Sequence, residues 1–176
     1  MRIVVTGGAG IMGSNFISLI VNRYPQHQII NRDKLTYAAD LRNLDDIKSN
    51  KNYKFVNGDV CNFKFLVRFL KDVDCIVHLA AESHVDNSIG NSLIFTTSNT
   101  YGTHVLLEAA RLNNIKKILH VSTDEVFGSL ELEEKQIFNE KTPYYPRSPY
   151  SASKAASDHL VRAYYHTYNL PITITN

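Results

Sequence analysis

The sequence predicts an α/β fold, a doubly wound parallel sheet with helices on both faces. Three observations carry this. Short β-branched runs alternate with stretches of helical apolar spacing, a glycine cluster joins the first strand to the first helix, and an acidic residue closes the second strand. With 176 residues, 44% of them hydrophobic, the chain suits one domain with one core.

Arg2–Thr6 is a β-branched run that stops at glycines, hence a buried strand entering a tight turn. From Ile11 to about Arg23, Phe16, Ile17, Ile20 and Val21 recur at helical spacing, and Tyr24-Pro25 ends that helix. Gln28–Asn31 is a second strand, and Leu41–Ser49 predicts a short helix. Tyr53–Val56 alternates as a third strand, followed by a helix near Phe63–Leu70. Cys75–Leu79 is the fourth strand, and one long helix is predicted over much of Leu93–Leu112. Lys117–Val121 is the fifth strand, Tyr150–Tyr168 has helical spacing, and Ile172–Thr175 is the sixth strand. Such alternation implies a parallel sheet, and right-handed crossovers favour the order 3-2-1-4-5-6. Glu131–Lys141 is polar and charged and reads as a solvated loop.

A formal charge of +2, with 20% charged residues and no block of like charge, argues against a nucleic-acid or membrane-surface role. Cys61 and Cys75 have neither a CxxC nor a metal-ligand spacing and read as reduced core thiols of a cytoplasmic protein. Met1-Arg2 leads straight into a strand, which reads as no signal peptide, and no apolar run approaches the roughly 20 residues that span a bilayer. The seven histidines do not cluster with carboxylates at metal spacing, so no metal is expected. His78 reads as a core strand residue, and His159 and His166, seven apart, as one helix face.

"TGGAGIMG" places Gly7, Gly10 and Gly13 between a strand and a helix. Glycines there permit a tight turn and let backbone N–H groups approach a pyrophosphate at the positive end of the helix. Asp33, about 20 residues on, completes the fingerprint of a Rossmann-type dinucleotide site. Its carboxylate accepts ribose hydroxyls and repels a 2′-phosphate, which favours NAD over NADP. Arg32 beside it is a counter-signal, since an arginine there tolerates that phosphate.

"YSASK" puts Tyr150 and Lys154 four residues apart at a helix start, on one face. A lysine ammonium nearby is expected to favour the phenolate and draw the tyrosine toward the working pH, where it serves as a base. Thr123, at the end of the fifth strand, is placed to hold a substrate oxygen. After it, Asp124 and Glu125 put two carboxylates where a buried strand ends. Two close carboxyls resist losing both protons, so the pair holds an acid and a base together. If the strand continued, the two side chains would point to opposite faces; the chain is expected to leave strand geometry by Asp124.

Gly7-x-x-Gly10-x-x-Gly13 with Tyr150-x-x-x-Lys154 resembles the extended short-chain dehydrogenase/reductase family. "DKLTYA", "HLAAESHVD", "STDEVFG" and "SPYSASKAASDHLVRAY" are similar to nucleotide-sugar 4,6-dehydratases, over essentially the whole chain. The resemblance implies NAD as cofactor and a nucleotide-glucose as substrate, dTDP-glucose being favoured, with a 4-keto-6-deoxy sugar as product. It implies that Thr123 orients the C4 oxygen, Tyr150 takes its proton, and Lys154 tunes the tyrosine and holds the nicotinamide ribose. Glu125 then takes the C5 proton while a protonated Asp124 donates to the departing C6 hydroxyl. Cofactor contacts are implied for Gly7, Gly10, Ile11, Met12, Gly13, Asp33, Lys34, Leu35 and Thr36. They are further implied for Asp59 and Val60 at the adenine, Leu79, Ala80 and Ala81 along the cofactor, and Ser98 near the nicotinamide. Ser83 would face the sugar.

The sequence departs from the family in Ile11-Met12 where Phe-Ile is usual, in Ala39 where glycine is common, and in Phe127 where tyrosine is common. Family members also continue past "PITITN" into a smaller C-terminal substrate domain. Residues 1–176 are therefore expected to be the NAD-binding half, binding NAD but turning over poorly alone. Relatives dimerise through helices near 93–112 and 150–168, and a homodimer is expected here. Alternatives are a UDP-glucose 4,6-dehydratase, a sugar-nucleotide epimerase, and a non-catalytic dinucleotide-binding module. The module has no need of all five of Thr123, Asp124, Glu125, Tyr150 and Lys154.

Overall fold

The computed structural model describes residues 1–130 and 137–176. Six parallel strands form one sheet: β1 (Arg2–Thr6), β2 (Gln28–Asp33), β3 (Tyr53–Asn57), β4 (Cys75–His78), β5 (Lys117–Val121) and β6 (Ile172–Thr175). Their order is β3-β2-β1-β4-β5-β6, as the crossover rule demands. Side chains alternate across the sheet. On β1, Val4 packs with Leu66, Leu106 and Val161, while Ile3 and Val5 pack with Ile17 and Val21. The first face is covered by α2 (Phe63–Phe69), α5 (Gly102–Leu112) and α6 (Pro149–Tyr168), and the second by α1 (Ile11–Arg23). Burial on both faces is why β1 and β4 read as unbroken apolar runs. No helix among the described residues is long and apolar enough to cross a membrane.

Two helices differ from the sequence expectation. Leu41–Ser49 supplies only a 3-10 turn, Leu41–Leu44, tied at its start by the Asp40 carboxylate accepting from the Arg42 N–H at 2.9 Å. Its apolar residues Leu41, Leu44 and Ile47 fall three apart, the period of the tighter helix. The long helix over Leu93–Leu112 is broken into α4 (Ser92–Phe95), a π-helical turn (Thr96–Tyr101) and α5, and α3 (Val85–Gly90) precedes it unforeseen. Lateral bonds tie the π turn to its neighbours. The Asn99 amide donates to the Glu82 carbonyl and to Ser153 Oγ, both at 2.9 Å, and Ser157 Oγ donates to the Asn99 carbonyl at 2.8 Å. Of the expected solvated loop over Glu131–Lys141, residues 131–136 lie outside the described residues; 137–141 carry no helix or strand.

The start of α6 is set locally. Ser148 and Ser151 form a reciprocal capping box with Pro149 in the first turn, and Asn169 ends the helix in the left-handed region. That fixes where Tyr150 and Lys154 stand along the helix.

Candidate active site

A cavity of about 550 Å³ opens at the carboxyl ends of the strands, beside the β1–β4 switch point where such sheets bind ligands. One wall is the glycine turn. Gly7 has φ +71°, and a Cβ there would stand 2.6 Å from the Ala80 nitrogen, so the turn lies against the end of β4. At Gly13 a Cβ would fall 2.2 Å from the Gly7 carbonyl oxygen, which brings α1 close under the turn. No side chain caps α1 and no acidic residue sits in its first turn, while Gly10, Ile11, Met12 and Gly13 line the cavity. The amide groups of that first turn therefore face the cavity unpaired, a site for an anion.

Asp33 stands at the end of β2 with its carboxylate held from both sides. Oδ2 accepts from the Ala9 N–H at 2.9 Å and Oδ1 from the Leu35 N–H at 2.8 Å, leaving lone pairs for hydroxyl donors. Leu35, at φ +59°, supplies this amide and is not among the lining residues. Arg32 lines the cavity beside Asp33, so its counter-signal stands, and its guanidinium is held by neighbouring groups. The residue is 2% exposed, and its guanidinium lies 4.0 Å over the Phe65 ring and donates to the carbonyls of Asn57 and Asp59 at 3.4 and 3.2 Å. Stacked on Phe65 and bonded to two carbonyls, the guanidinium is oriented by the fold. Lys34 and Asp59, both lining the cavity, form an ion pair at 3.1 Å. Thr36, Val60, Leu79, Ala80, Ala81, Ser83 and Ser98 all line the cavity. Tyr37, Glu82 and His84 line it too and were missed, although they lie within the motif strings "DKLTYA" and "HLAAESHVD".

At the far end the wall is α6. Tyr150 and Lys154 both face the cavity and are 8% and 5% exposed. Lys154 Nζ donates to the Val121 carbonyl, the last of β5, at 2.7 Å. Burial draws its pKa down to about 8, with Asp158 opposing the fall. The expectation for Tyr150 is corrected in sign: its phenol is pushed up. Burial is the largest cause, the carboxylates of Glu125, Asp124 and Asp158 add to it, and Thr123 pulls the other way. The lysine charge is held on a strand carbonyl while three carboxylates bear on the phenol.

The strand ends as expected. Thr123 is still extended, and a 3-10 turn, Asp124–Phe127, begins directly after it, with Thr123 Oγ1 accepting from the Glu125 N–H at 3.3 Å. Asp124 is exposed and Glu125 half-buried. Burial, then Asp124, raises the Glu125 pKa. Thr123, Asp124 and Glu125 are not part of the cavity wall; they stand beyond its Tyr150 end. Among the described residues no group of three or more His, Cys, Asp or Glu side chains is placed to hold a metal ion.

Residues 4–176 match the model of the family described as GDP-mannose 4,6 dehydratase. Human dTDP-D-glucose 4,6-dehydratase is 45% identical over 177 residues, 99% of this chain and 49% of that protein. A trifunctional UDP-glucose 4,6-dehydratase of Arabidopsis thaliana is 44% identical over 99% of the chain, which covers 27% of it. The solved structure of dTDP-glucose 4,6-dehydratase from Streptomyces venezuelae, with NAD bound, superposes with a TM-score of 0.94 at 44% identity, covering 99% of this chain and 54% of that one. The chain thus spans about half the length of the human and Streptomyces proteins.

Proposed function

The chain belongs to the GDP-mannose 4,6 dehydratase family, and from that membership we propose that residues 1–176 are the NAD-binding and catalytic domain of a dTDP-glucose 4,6-dehydratase. One observation carries the reading: a single cavity joins an uncapped helix N-terminus, an acidic residue at the end of β2, and the Tyr150–Lys154 pair. That is the span a dinucleotide covers from ribose to nicotinamide. The first-turn amides of α1 would hold the pyrophosphate, and Asp33 the adenosine ribose, with the Leu35 amide orienting it. Asp59 and Val60 would flank the adenine, Ala80 and Ala81 the cofactor's length, and Ser98 its nicotinamide side.

NAD bound there would supply the oxidation at C4 that acidifies C5, and the closing reduction at C6. The chain's own residues handle protons. Thr123 orients the C4 hydroxyl, Tyr150 takes its proton as the substrate is oxidised, and Lys154, one helical turn on and held by the Val121 carbonyl, lines the same cavity. Glu125 takes the proton from C5, and its raised pKa makes it the stronger base once ionised. Asp124 donates to the departing C6 hydroxyl, and Ser83 faces the sugar. Elimination needs this acid–base pair and simple hydride transfer does not, so Asp124-Glu125 favours a dehydratase over an epimerase. A UDP-glucose substrate is the second reading, favoured by the near-equal identity to the Arabidopsis protein.

Exposed Leu112 on α5 with Tyr165 and Tyr168 on α6 supports a homodimer through these helices; a monomer by light scattering would contradict it. The free thiols of Cys61 and Cys75 suit a reducing cytoplasm. Two measurements test the function. Calorimetry should show NAD binding to this chain, and its absence would overturn the reading. The protein in its longest natural form should convert dTDP-glucose to the 4-keto-6-deoxy product; NAD binding with no product from dTDP- or UDP-glucose would assign a non-catalytic module. Glu125→Gln should still permit oxidation at C4 while elimination falls by roughly 10²–10⁴-fold.

A further inference from the structure

We propose that Asp158 is a positioning residue for the Tyr150–Lys154 pair and the Thr123–Glu125 turn, its carboxylate tying the end of β5 to α6 and serving as the buried counter-charge of Lys154. This rests on the reading of Tyr150 and Lys154 as reacting groups. Asp158 follows Lys154 by one helical turn and Tyr150 by two, on the same face of α6, and is 0% exposed. Its carboxylate meets three donors: His120 Nε2 at 3.0 Å, Ser122 Oγ at 2.6 Å and the Tyr144 hydroxyl at 2.9 Å. The residue between the two strand donors is Val121, whose carbonyl takes the Lys154 ammonium at 2.7 Å. Three consecutive residues, His120, Val121 and Ser122, are thus bonded to two residues of α6. The next one, Thr123, opens the turn that carries Asp124 and Glu125. The clamp therefore sets the register between the two halves of the site.

A clamp alone needs no charge, and the charge has a separate use. A carbonyl orients a buried ammonium without neutralising it. The titratable groups around Lys154 are Tyr150 and Asp158 on α6, His120 on β5 and His78 on β4, while Asp124 and Glu125 in the turn bear on Tyr150. Burial, with Lys154 nearby, drives both histidines downward and keeps them neutral, although Asp158 opposes this at His120. Asp158 is the carboxylate that raises Lys154. An ionised carboxylate only accepts, so His120 must carry its proton on Nε2; its Nδ1 has no partner among the described residues.

Histidine and lysine NMR on the chain without cofactor tests this, with His120 assigned by His120→Gln and Lys154 by Lys154→Met. We expect a neutral His120 protonated on Nε2 and a Lys154 midpoint near 8. Asp158→Asn should lower that midpoint by about one pH unit or more. Ser122→Ala and Tyr144→Phe, which remove donors and no charge, should leave it within a few tenths of a unit, about the scatter of a second-order effect. A His120 proton on Nδ1 would overturn the proposal, as would an unmoved Lys154 midpoint in an Asp158→Asn variant that merely melts earlier. If Asp158→Asn does not fold, the His120 tautomer of the unaltered chain decides. None of these readouts uses NAD, so a chain that fails to bind NAD sinks the functional reading alone.

Discussion

Replacing Gly13 by alanine should damage cofactor binding more than stability, and the structure sets the size of the effect. The added Cβ would lie 2.2 Å from the Gly7 carbonyl oxygen, 2.6 Å from the Gly8 Cα and 2.9 Å from the Gly7 carbonyl carbon. All three are backbone atoms, so no rotamer change relieves the clash. Carbon–oxygen contacts settle near ~3.3 Å, so the first turn of α1 must retreat by about 1 Å. That retreat stretches an amide-to-phosphate hydrogen bond from ~2.9 Å to nearly ~4 Å, beyond bonding range. Two such bonds to a charged acceptor are worth about 1.5–3 kcal/mol each, so NAD should bind at least ~100-fold more weakly. Overpacking itself costs about 1–3 kcal/mol, a fall in Tm of roughly 2–10 °C. Calorimetric titration with NAD and a thermal melt read the two effects separately. Gly10→Ala is the internal comparison: its Cβ meets only the Gly7 oxygen, at 3.5 Å, and its φ of −75° suits any residue. It should keep its Tm and still lose NAD affinity, because that Cβ otherwise faces open cavity. Gly90→Ala, with nothing within 4 Å of its Cβ, should change neither. A Gly13→Ala protein that binds NAD as tightly as the unaltered chain would refute the reasoning.

Asp33→Asn should weaken NAD by about tenfold and narrow its preference over NADP, since a neutral amide no longer repels a 2′-phosphate; titration with both dinucleotides checks this, and an unchanged preference would count against the assignment. Lys154 has a folded pKa of about 8 against 10.5 for the ordinary side chain, so the folded state holds fewer protons between those values and its stability gains as pH rises. The stability of Lys154→Met relative to the unaltered chain should therefore decline by about 1.4 kcal/mol per pH unit from about 8 to 10, and stay level below that window; urea titrations at several pH values would show a flat difference if the ammonium is not buried. Ser148→Ala removes half of the capping box and should lower stability by about 1 kcal/mol in denaturant unfolding, with an unmoved midpoint speaking against the cap.

Short-range terms were legible along the chain. The β-branched run of Arg2–Thr6, the spacing of Gly7, Gly10 and Gly13, and the four-residue step from Tyr150 to Lys154 each depend on neighbours a few residues away. Crossover handedness then ordered all six strands. Asp33 was found for the same reason: a fixed βαβ unit delivers its carboxylate to the turn. Even the 3-10 turn at Leu41–Leu44 was written in a three-residue apolar period, mistaken for part of a longer helix.

The tertiary structure alone decided the terms that act through space. At the π turn Thr96–Tyr101, the Asn99 side chain reaches Glu82 and Ser153, residues 17 and 54 positions away. Arg32 sits beside Asp33 in sequence, yet its charge is taken up 25 to 27 residues on by the carbonyls of Asn57 and Asp59. The Tyr150 phenol rises because burial and carboxylates outweigh its hydrogen bond with Thr123, while β5 holds the Lys154 ammonium on the Val121 carbonyl. Asp158 gains its place only when β5 and α6 meet, 38 residues apart at His120. Desolvation and Coulomb interaction depend on distance and burial, and neither is set by spacing along a chain until the fold has brought its strands and helices together.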